Sequence, residues 1–464
     1  MLLAALVTIP LHNIQAPKVV ETKLFRNQKG VVAPGSITVS PNLDHYSYST
    51  IDHKVIIDGK AFGPYVSNGA VLYSGDSKDY AFLANLKVNA PPTVFWNGVP
   101  KTTEFPVTSV FRAGETGGIC WGERKVTVEP DPKDPKKEIR NEFTRLIHPG
   151  GVTEWFDKVE KIYFSDDGSS FALRINEKIP LKDIPADKPN APTSRDYIIL
   201  ADGTKRLRGN TMQIFPAPNN QGYAVLDTDF SETTDYSFEF RNKLIEFKGE
   251  FSGKPIFSPD GKQFAFRRSF TGPTPGGTNI AFYQYTIGGY SIPDLQIQTG
   301  LTYAPDGKKW VMSGLNGRTP YLYVSSMGMV SYGEFPGLAL APPEPYKMAK
   351  FANGKIVLLF QPKREKPSVF IEDKGVFELG PFTSLPDTMS VSPNGRYMVI
   401  GGADLKETRA FMIDLENPAT AVEVMKPGCE LQVLGKGTFV WKSNSSVQFM
   451  ILKNSELVRV NASF

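Results

Sequence analysis

Histidine is scarce and cysteine nearly absent: four and two residues in a chain of 464. His12, His45, His53 and His148 are too few and too scattered for a dedicated zinc site. Cys120 and Cys429 lie far apart, which leaves a disulfide or two buried thiols open, and the apolar strand pattern around Cys120 favours thiols. Charge of one sign is missing as well, with 52 Lys and Arg against 48 Asp and Glu and a net charge of +4. Such a balance gives no global field to gather nucleic acid or an anionic membrane surface, so neither is expected as a partner.

Long apolar runs are also absent. The run Met1–Ile9 is broken by Pro10 and is too short to span a bilayer as a helix, and no later segment is apolar for long enough. Residues 1–16 read either as the apolar region of a secretory signal whose basic start is missing, or as a first strand or tail. The first reading places the protein in the periplasm or outside the cell; the second leaves the cytoplasm open. Helical periodicity is nearly missing too. Only the charged stretch 136–147, after a Pro-rich segment, is compatible with a short helix.

Catalytic signatures are wanting. A serine hydrolase with a nucleophile elbow needs a Gly-x-Ser-x-Gly motif and a later His; no such elbow occurs, and no His follows His148. Walker and dinucleotide Gly-rich loops are absent, and no cofactor is expected. Asp227, Asp229 and Asp235 set oxygen ligands at alternate positions as a calcium loop does, yet the sharpening Gly and the terminal Glu are lacking. They form a weak metal candidate.

What the chain does have is turn residues, 41 Gly and 37 Pro, and 12% aromatics. They are organised around Phe257-Ser258-Pro259-Asp260-Gly261-Lys262-Gln263-Phe264-Ala265-Phe266. Ser258 opens a turn, Pro259 presets its first central position, Gly261 takes the φ > 0 position, and a strand leaves with Phe264 and Phe266 on one face. Copies begin at Ser40, Ser74, Arg112, Ser165, Ala217, Ala304, Ala352 and Ser392, with a worn one at Leu434-Gly435-Lys436-Gly437. Between copies lies a second hairpin, as at Asp58-Gly59, Asn97-Gly98, Asp202-Gly203 and Asp373-Lys374-Gly375. Phe171, Tyr223, Phe264, Trp310 and Tyr397 recur at one place after the first turn and are assigned to the core between units. Two hairpins per unit, at a period of roughly 40 to 50 residues, are the signature of propeller blades.

The Ser-Pro-Asp-Gly-Lys turn followed by an aromatic-small-aromatic strand resembles the WD-like (PD40-type) repeat of TolB-type bacterial β-propellers, over roughly residues 36 to 464. The resemblance implies a toroid with a central channel and binding faces. The expected fold is therefore all-β: a single β-propeller of four-stranded blades, roughly eight to ten in number. Residues 1–20 are a signal-like or N-terminal tail segment, and 21–464 are the propeller with inserted loops at 128–142 and 178–194.

With strands labelled A to D, the tight A–B and C–D turns fall on one rim, and the variable B–C and D–A connections on the other. The second rim is expected to make the contacts, through Lys133, Lys136, Lys137, Lys182, Asp187, Lys363, Arg364 and Lys366. The function this supports is a non-enzymatic protein-binding or scaffold subunit, in a cell-envelope complex, with a protein partner and possible association with a membrane complex. The alternatives are a propeller enzyme of lactonase or lyase type, or a sensor of a small ligand or glycan, with its site at the central channel.

Overall fold

Ser258 closes its bend with its own side chain. The Gly261 N–H donates to the Ser258 carbonyl at 2.8 Å, and the Ser258 N–H donates to the Gln263 carbonyl at 2.9 Å. The Ser258 hydroxyl donates to Asp260 Oδ1 at 2.6 Å and accepts the Gln263 N–H at 3.0 Å, while Asp260 Oδ1 also accepts the Lys262 N–H at 3.1 Å. The buried Ser258 hydroxyl and the N–H groups of Ser258, Gly261, Lys262 and Gln263 thus all have partners within the bend. Gly261 stands at φ +69°, and a Cβ there would meet the Pro218 carbonyl oxygen at 2.2 Å, so two independent reasons demand glycine. The same Ser-to-acid or Ser-to-amide bond forms at Ser40–Asn42, Ser74–Asp76, Ser165–Asp167 and Ser392–Asn394. Ala304 lacks the hydroxyl; its turn keeps the backbone bonds from the Ala304 N–H to the Lys309 carbonyl at 2.8 Å and from the Gly307 N–H to the Ala304 carbonyl at 2.9 Å, and the bond from the Lys308 N–H to Asp306 Oδ1 at 3.0 Å.

The second hairpins are two-residue turns with positive φ at both central positions, +48° and +81° at Asp58-Gly59, +49° and +78° at Asn97-Gly98. That geometry matches the twist of the flanking strands. The turn residue also reaches back to the first residue of strand B. Asn97 donates its N–H to the Tyr80 carbonyl and accepts the Tyr80 N–H on Oδ1, both at 2.9 Å. Asp58 does the same with Tyr46, and Ser325 with Trp310.

In the computed structural model these units form a ten-bladed propeller of four-stranded antiparallel blades, with about 61% of residues in strands. The structure describes residues 17–464 apart from 27–30, 132–133, 180–193, 208–212, 230–234, 242, 274–276, 278, 289, 293–296, 299, 317–318, 326–327, 332–345, 362–365, 380–381, 405–406, 419–420, 426–427 and 433–437. Blades 1 to 9 span 38–62, 67–100, 107–152, 159–207, 213–248, 250–291, 297–331, 348–378 and 388–423. Blade 10 takes strands A to C from 430–463 and its outermost strand from the other end of the chain. There Lys18–Arg26 pairs antiparallel with Glu456–Ser463, from Lys18 opposite Ser463 to Arg26 opposite Glu456. The first strands of neighbouring blades approach each other, which places strand A innermost.

The core is divided among the ten interfaces. Each pair of neighbouring blades shares one buried apolar cluster, including that between blades 10 and 1, where Met450 and Leu457 meet Val39 and Leu43. Phe171, Tyr223, Phe264, Trp310 and Tyr397 each open strand B of their blade and pack in these clusters. Cys120 and Cys429 are buried free thiols, and burial pushes the Cys120 thiol up to about 12.

Two expectations are corrected. Residues 136–147 are not helical; they belong to the strand Asp134–His148, held by full cross-strand pairing with Ile119–Asp131. Cross-strand hydrogen bonds override the weak local pattern. The tenth A–B turn, expected at Leu434–Gly437, instead follows Phe439–Trp441, where the Lys442 N–H donates to the Ser446 carbonyl at 2.8 Å; residues 434–437 themselves lie outside the described residues. Among the described residues no helix is long and apolar enough to cross a membrane.

Candidate functional site

The A–B turns touch their neighbours around the ring. The Asn42 N–H donates to Ser77 Oγ at 3.0 Å, the Gly75 N–H to the Gly117 carbonyl at 2.8 Å, and the Asn219 N–H to Asp167 Oδ2 at 2.7 Å. Asn219 also donates from Nδ2 to the Pro259 carbonyl at 2.9 Å, and Lys442 Nζ lies 2.7 Å from Asp44 across the closure. This rim is a band of interlocked bends.

The opposite rim carries a projection. In blade 3, strand A (Val107–Arg112) pairs only with Ile119–Glu123, and strand D (Gly151–Val152) only with Ile147–His148. Strands B and C nevertheless stay paired from Arg124 opposite Thr144 to Asp131 opposite Asp134. Eight residues of strand B at roughly 3.3 Å each make a two-stranded ribbon about 26 Å long. Apart from a bridge between Thr144 and Phe156, no third strand accompanies it among the described residues. One face carries Val126 and Val128, 36% and 55% exposed. Residues 128–142, expected as an inserted loop, are thus mostly strand.

The base of the ribbon is pinned. Arg145 Nη2 lies 2.7 Å from the buried Glu123 carboxylate and 3.2 Å from Glu104, and its guanidinium stacks over the rings of Trp155 and Phe105. Lys178 Nζ, at the end of strand B of blade 4, donates to Asn141 Oδ1 at 2.9 Å, so the arms of blades 3 and 4 meet.

Of the residues singled out from sequence, Lys136 and Lys137 lie exposed on strand C of the ribbon. Lys366 precedes strand C of blade 8 with Nζ 3.0 Å from Glu378. Lys133, Lys182, Asp187, Lys363 and Arg364 lie outside the described residues. Asp229 and Asp235 are cross-strand partners in the blade 5 hairpin, and Asp227 lies two residues back along strand B, opposite Ser237. Among the described residues no group of three metal-ligating side chains occurs.

Two clefts open on the tight-turn rim, where sequence reasoning placed no site. The larger, about 1230 Å³, lies across blades 5 to 7 and is lined by Arg241, Lys243, Lys262 and Lys308 together with Leu244 and Trp310. The smaller, about 460 Å³, lies between blades 2 and 3, where Asp76, Asp79 and His148 face Trp96 and Trp121. Burial holds the His148 imidazole below its ordinary value, and its Nδ1 accepts the Gly150 N–H at 3.2 Å. The Ser74 hydroxyl bond holds the Asp76 carboxyl below its ordinary value. Lys262 and Lys308 follow the Asp-Gly of their turns and read as part of the repeat, which hid the cleft.

Solved structures similar to the chain are propellers. The β-propeller domain of the Trilobed protease from Pyrococcus furiosus is 10% identical, with 69% of this chain and 97% of that one covered and a TM-score of 0.29. TolB from Acinetobacter baumannii is 13% identical, with 74% and 80% covered and a TM-score of 0.26. The Dos1 propeller is 8% identical, with 85% and 92% covered and a TM-score of 0.34. No family model and no curated protein matches the chain. These likenesses concern the propeller fold alone.

Proposed function

We propose that the protein is a non-enzymatic propeller that binds a partner protein through its B–C and D–A rim, as a scaffold subunit of a complex in the cell envelope. The blade 3 ribbon carries this reading. Its strands continue well past the core and hold Val126 and Val128 in water, and among the described residues no third strand runs along either edge beyond the Thr144–Phe156 bridge at its base. An isolated two-stranded ribbon is barely stable by itself, and exposed edges are liabilities that proteins normally cover. A partner that adds a strand to such an edge, or covers the two valines, would satisfy it. Contact with blade 4 through Lys178 and Asn141 would extend the surface.

The test places a photo-crosslinking residue at position 126 or 128 in cells and compares a variant in which the ribbon is shortened to its blade. A discrete crosslinked protein that disappears on capture with the shortened variant supports the reading. An identical captured set from both variants refutes it. Cell fractionation checks the envelope assignment. A ligand-binding or enzymatic reading is favoured by the smaller cleft, and would show as saturable small-molecule binding lost in Asp79→Asn but kept when the ribbon is shortened.

A further inference from the structure

On the rim away from the ribbon, the larger cleft gathers cations from three blades: Arg241 and Lys243 from the C–D turn of blade 5, Lys262 from the A–B turn of blade 6, and Lys308 from that of blade 7. Among the described residues, none of the four lies within 4.0 Å of a carboxylate. Among the described residues, no acidic side chain lines the cleft. The nearest turn acids are engaged locally, Asp260 Oδ1 by the Ser258 hydroxyl and the Lys262 N–H, and Asp306 Oδ1 by the Lys308 N–H. Elsewhere on this protein exposed lysines commonly find acids, as Lys254 finds Asp166 and Lys347 finds Asp387, both at 2.7 Å. Four cations in one concavity with no carboxylate within 4.0 Å among the described residues are therefore a local departure; Lys262 acts on Asp260 only through a longer-range charge interaction.

Below the charges the surface is apolar. Leu244 is 61% exposed, and the half-buried ring of Trp310 lies beside Phe264 and Ile287. Large exposed apolar side chains next to Trp and Arg are the composition of interface anchors. A volume of about 1230 Å³ exceeds the range of roughly 300–1,000 Å³ that suits small ligands. The cleft is also concave between turns, a shape that suits an inserted chain better than a flat bilayer.

We propose that this cleft binds an acidic peptide segment anchored by one large apolar side chain. The apolar residue fills the space between Leu244 and Trp310, and its acidic neighbours meet Arg241, Lys243, Lys262 and Lys308. Such pairing speeds encounter and selects the partner, and it weakens as salt rises. This surface is separate from the ribbon, so the protein would engage two partners or two parts of one.

The experiment measures fluorescence anisotropy of a labelled library of short peptides in which acidic residues flank one central Phe, against the intact protein. Controls replace the acids by Lys, or the Phe by Gly; vesicles of phosphatidylglycerol in phosphatidylcholine are a separate arm. Saturable binding of acidic members is expected, weakened about tenfold for each of Lys262→Glu and Lys308→Glu. Leu244→Ser should weaken binding several-fold at an unchanged melting temperature, which excludes misfolding as the cause. The ribbon-shortened variant should bind these peptides normally, which separates the result from that of the scaffold reading. Equal binding of acidic and Lys-substituted peptides, no saturation by any acidic member, undiminished binding in the charge-reversed variants, or binding of vesicles alone would each overturn the proposal.

Discussion

Arg145 covers the buried carboxylate of Glu123. Its Nε and Nη2 lie 3.0 Å and 2.7 Å from Glu123 Oε2, and its guanidinium sits 4.7 Å from the centre of the Trp155 ring and 5.3 Å from that of Phe105. Phe105 and Trp155 come from the two D–A connections that flank blade 3, and their rings meet edge to face at 4.8 Å. The pair therefore ties the root of the ribbon to both neighbouring connections.

Removing Arg145 alone strands a buried charge. Arg145→Met should destabilise the protein by about 3 kcal/mol, whereas the double change Glu123→Leu with Arg145→Met should recover most of that loss. Urea midpoints of the two variants decide the matter. A single variant no less stable than the parent would mean that solvent already reaches Glu123.

The Ser hydroxyl of the first turn predicts opposite effects at two equivalent places. Ser258→Ala removes an acceptor for the Gln263 N–H and a donor to Asp260, and should cost about 1 kcal/mol. Ala304→Ser supplies the missing hydroxyl beside Asp306 and the Lys309 N–H, and should raise stability by a similar amount. Thermal melts of the two variants should move in opposite directions; shifts of the same sign would refute the equivalence of the turns.

The turns and the blade period were legible in the sequence because each rests on a local rule: Pro and Gly set backbone angles, and Phe264 or Tyr397 after the bend marks the start of strand B. The ribbon was not. Pro130, Pro132 and Pro135 read as an inserted loop, and Pro130 is tolerated opposite Glu138 because no third strand needs its absent N–H. Blade 10 borrows its outer strand from Lys18–Arg26, a pairing between chain ends that local patterns do not encode. The larger cleft draws side chains from three blades, so its residues follow the repeat and carry no spacing of their own.

Acid should weaken the turns in a defined direction. The Ser258 hydroxyl bond, opposed by partial desolvation and aided by the Lys262 N–H, holds the Asp260 carboxyl below its ordinary value. A depressed folded value means that the contribution is present above the unfolded value of about 3.9 and is lost as pH falls through the lower folded value. Asn42 and Asn394 fill this role in other blades without titrating. Asp260→Asn should thus be nearly silent at pH 7 and should shallow the loss of stability below about pH 4. Urea titrations at both pH values test it, and parallel pH profiles for parent and variant would refute it.

Closure of the ring depends on a strand from the far end of the chain; beside the bond from the Tyr46 hydroxyl to the Leu24 carbonyl, Phe25 is one of its contacts across the seam. Its ring stacks 4.5 Å from Tyr48 and 5.3 Å from Tyr46, both in blade 1, while its backbone pairs with Leu457 in blade 10. Burial there is partial, so Phe25→Ala should cost about 2 kcal/mol, less than truncation of a fully buried ring. Thr22 is exposed on the same strand, and Thr22→Ala should stay within about 0.5 kcal/mol of the parent. Hydrogen exchange should quicken along Glu456–Ser463 and Tyr46–Ser49 in the Phe25 variant, because loosening the seam frees both blades that it joins. Equal exchange in both variants would mean that the Phe25 ring does not help to hold the ring shut.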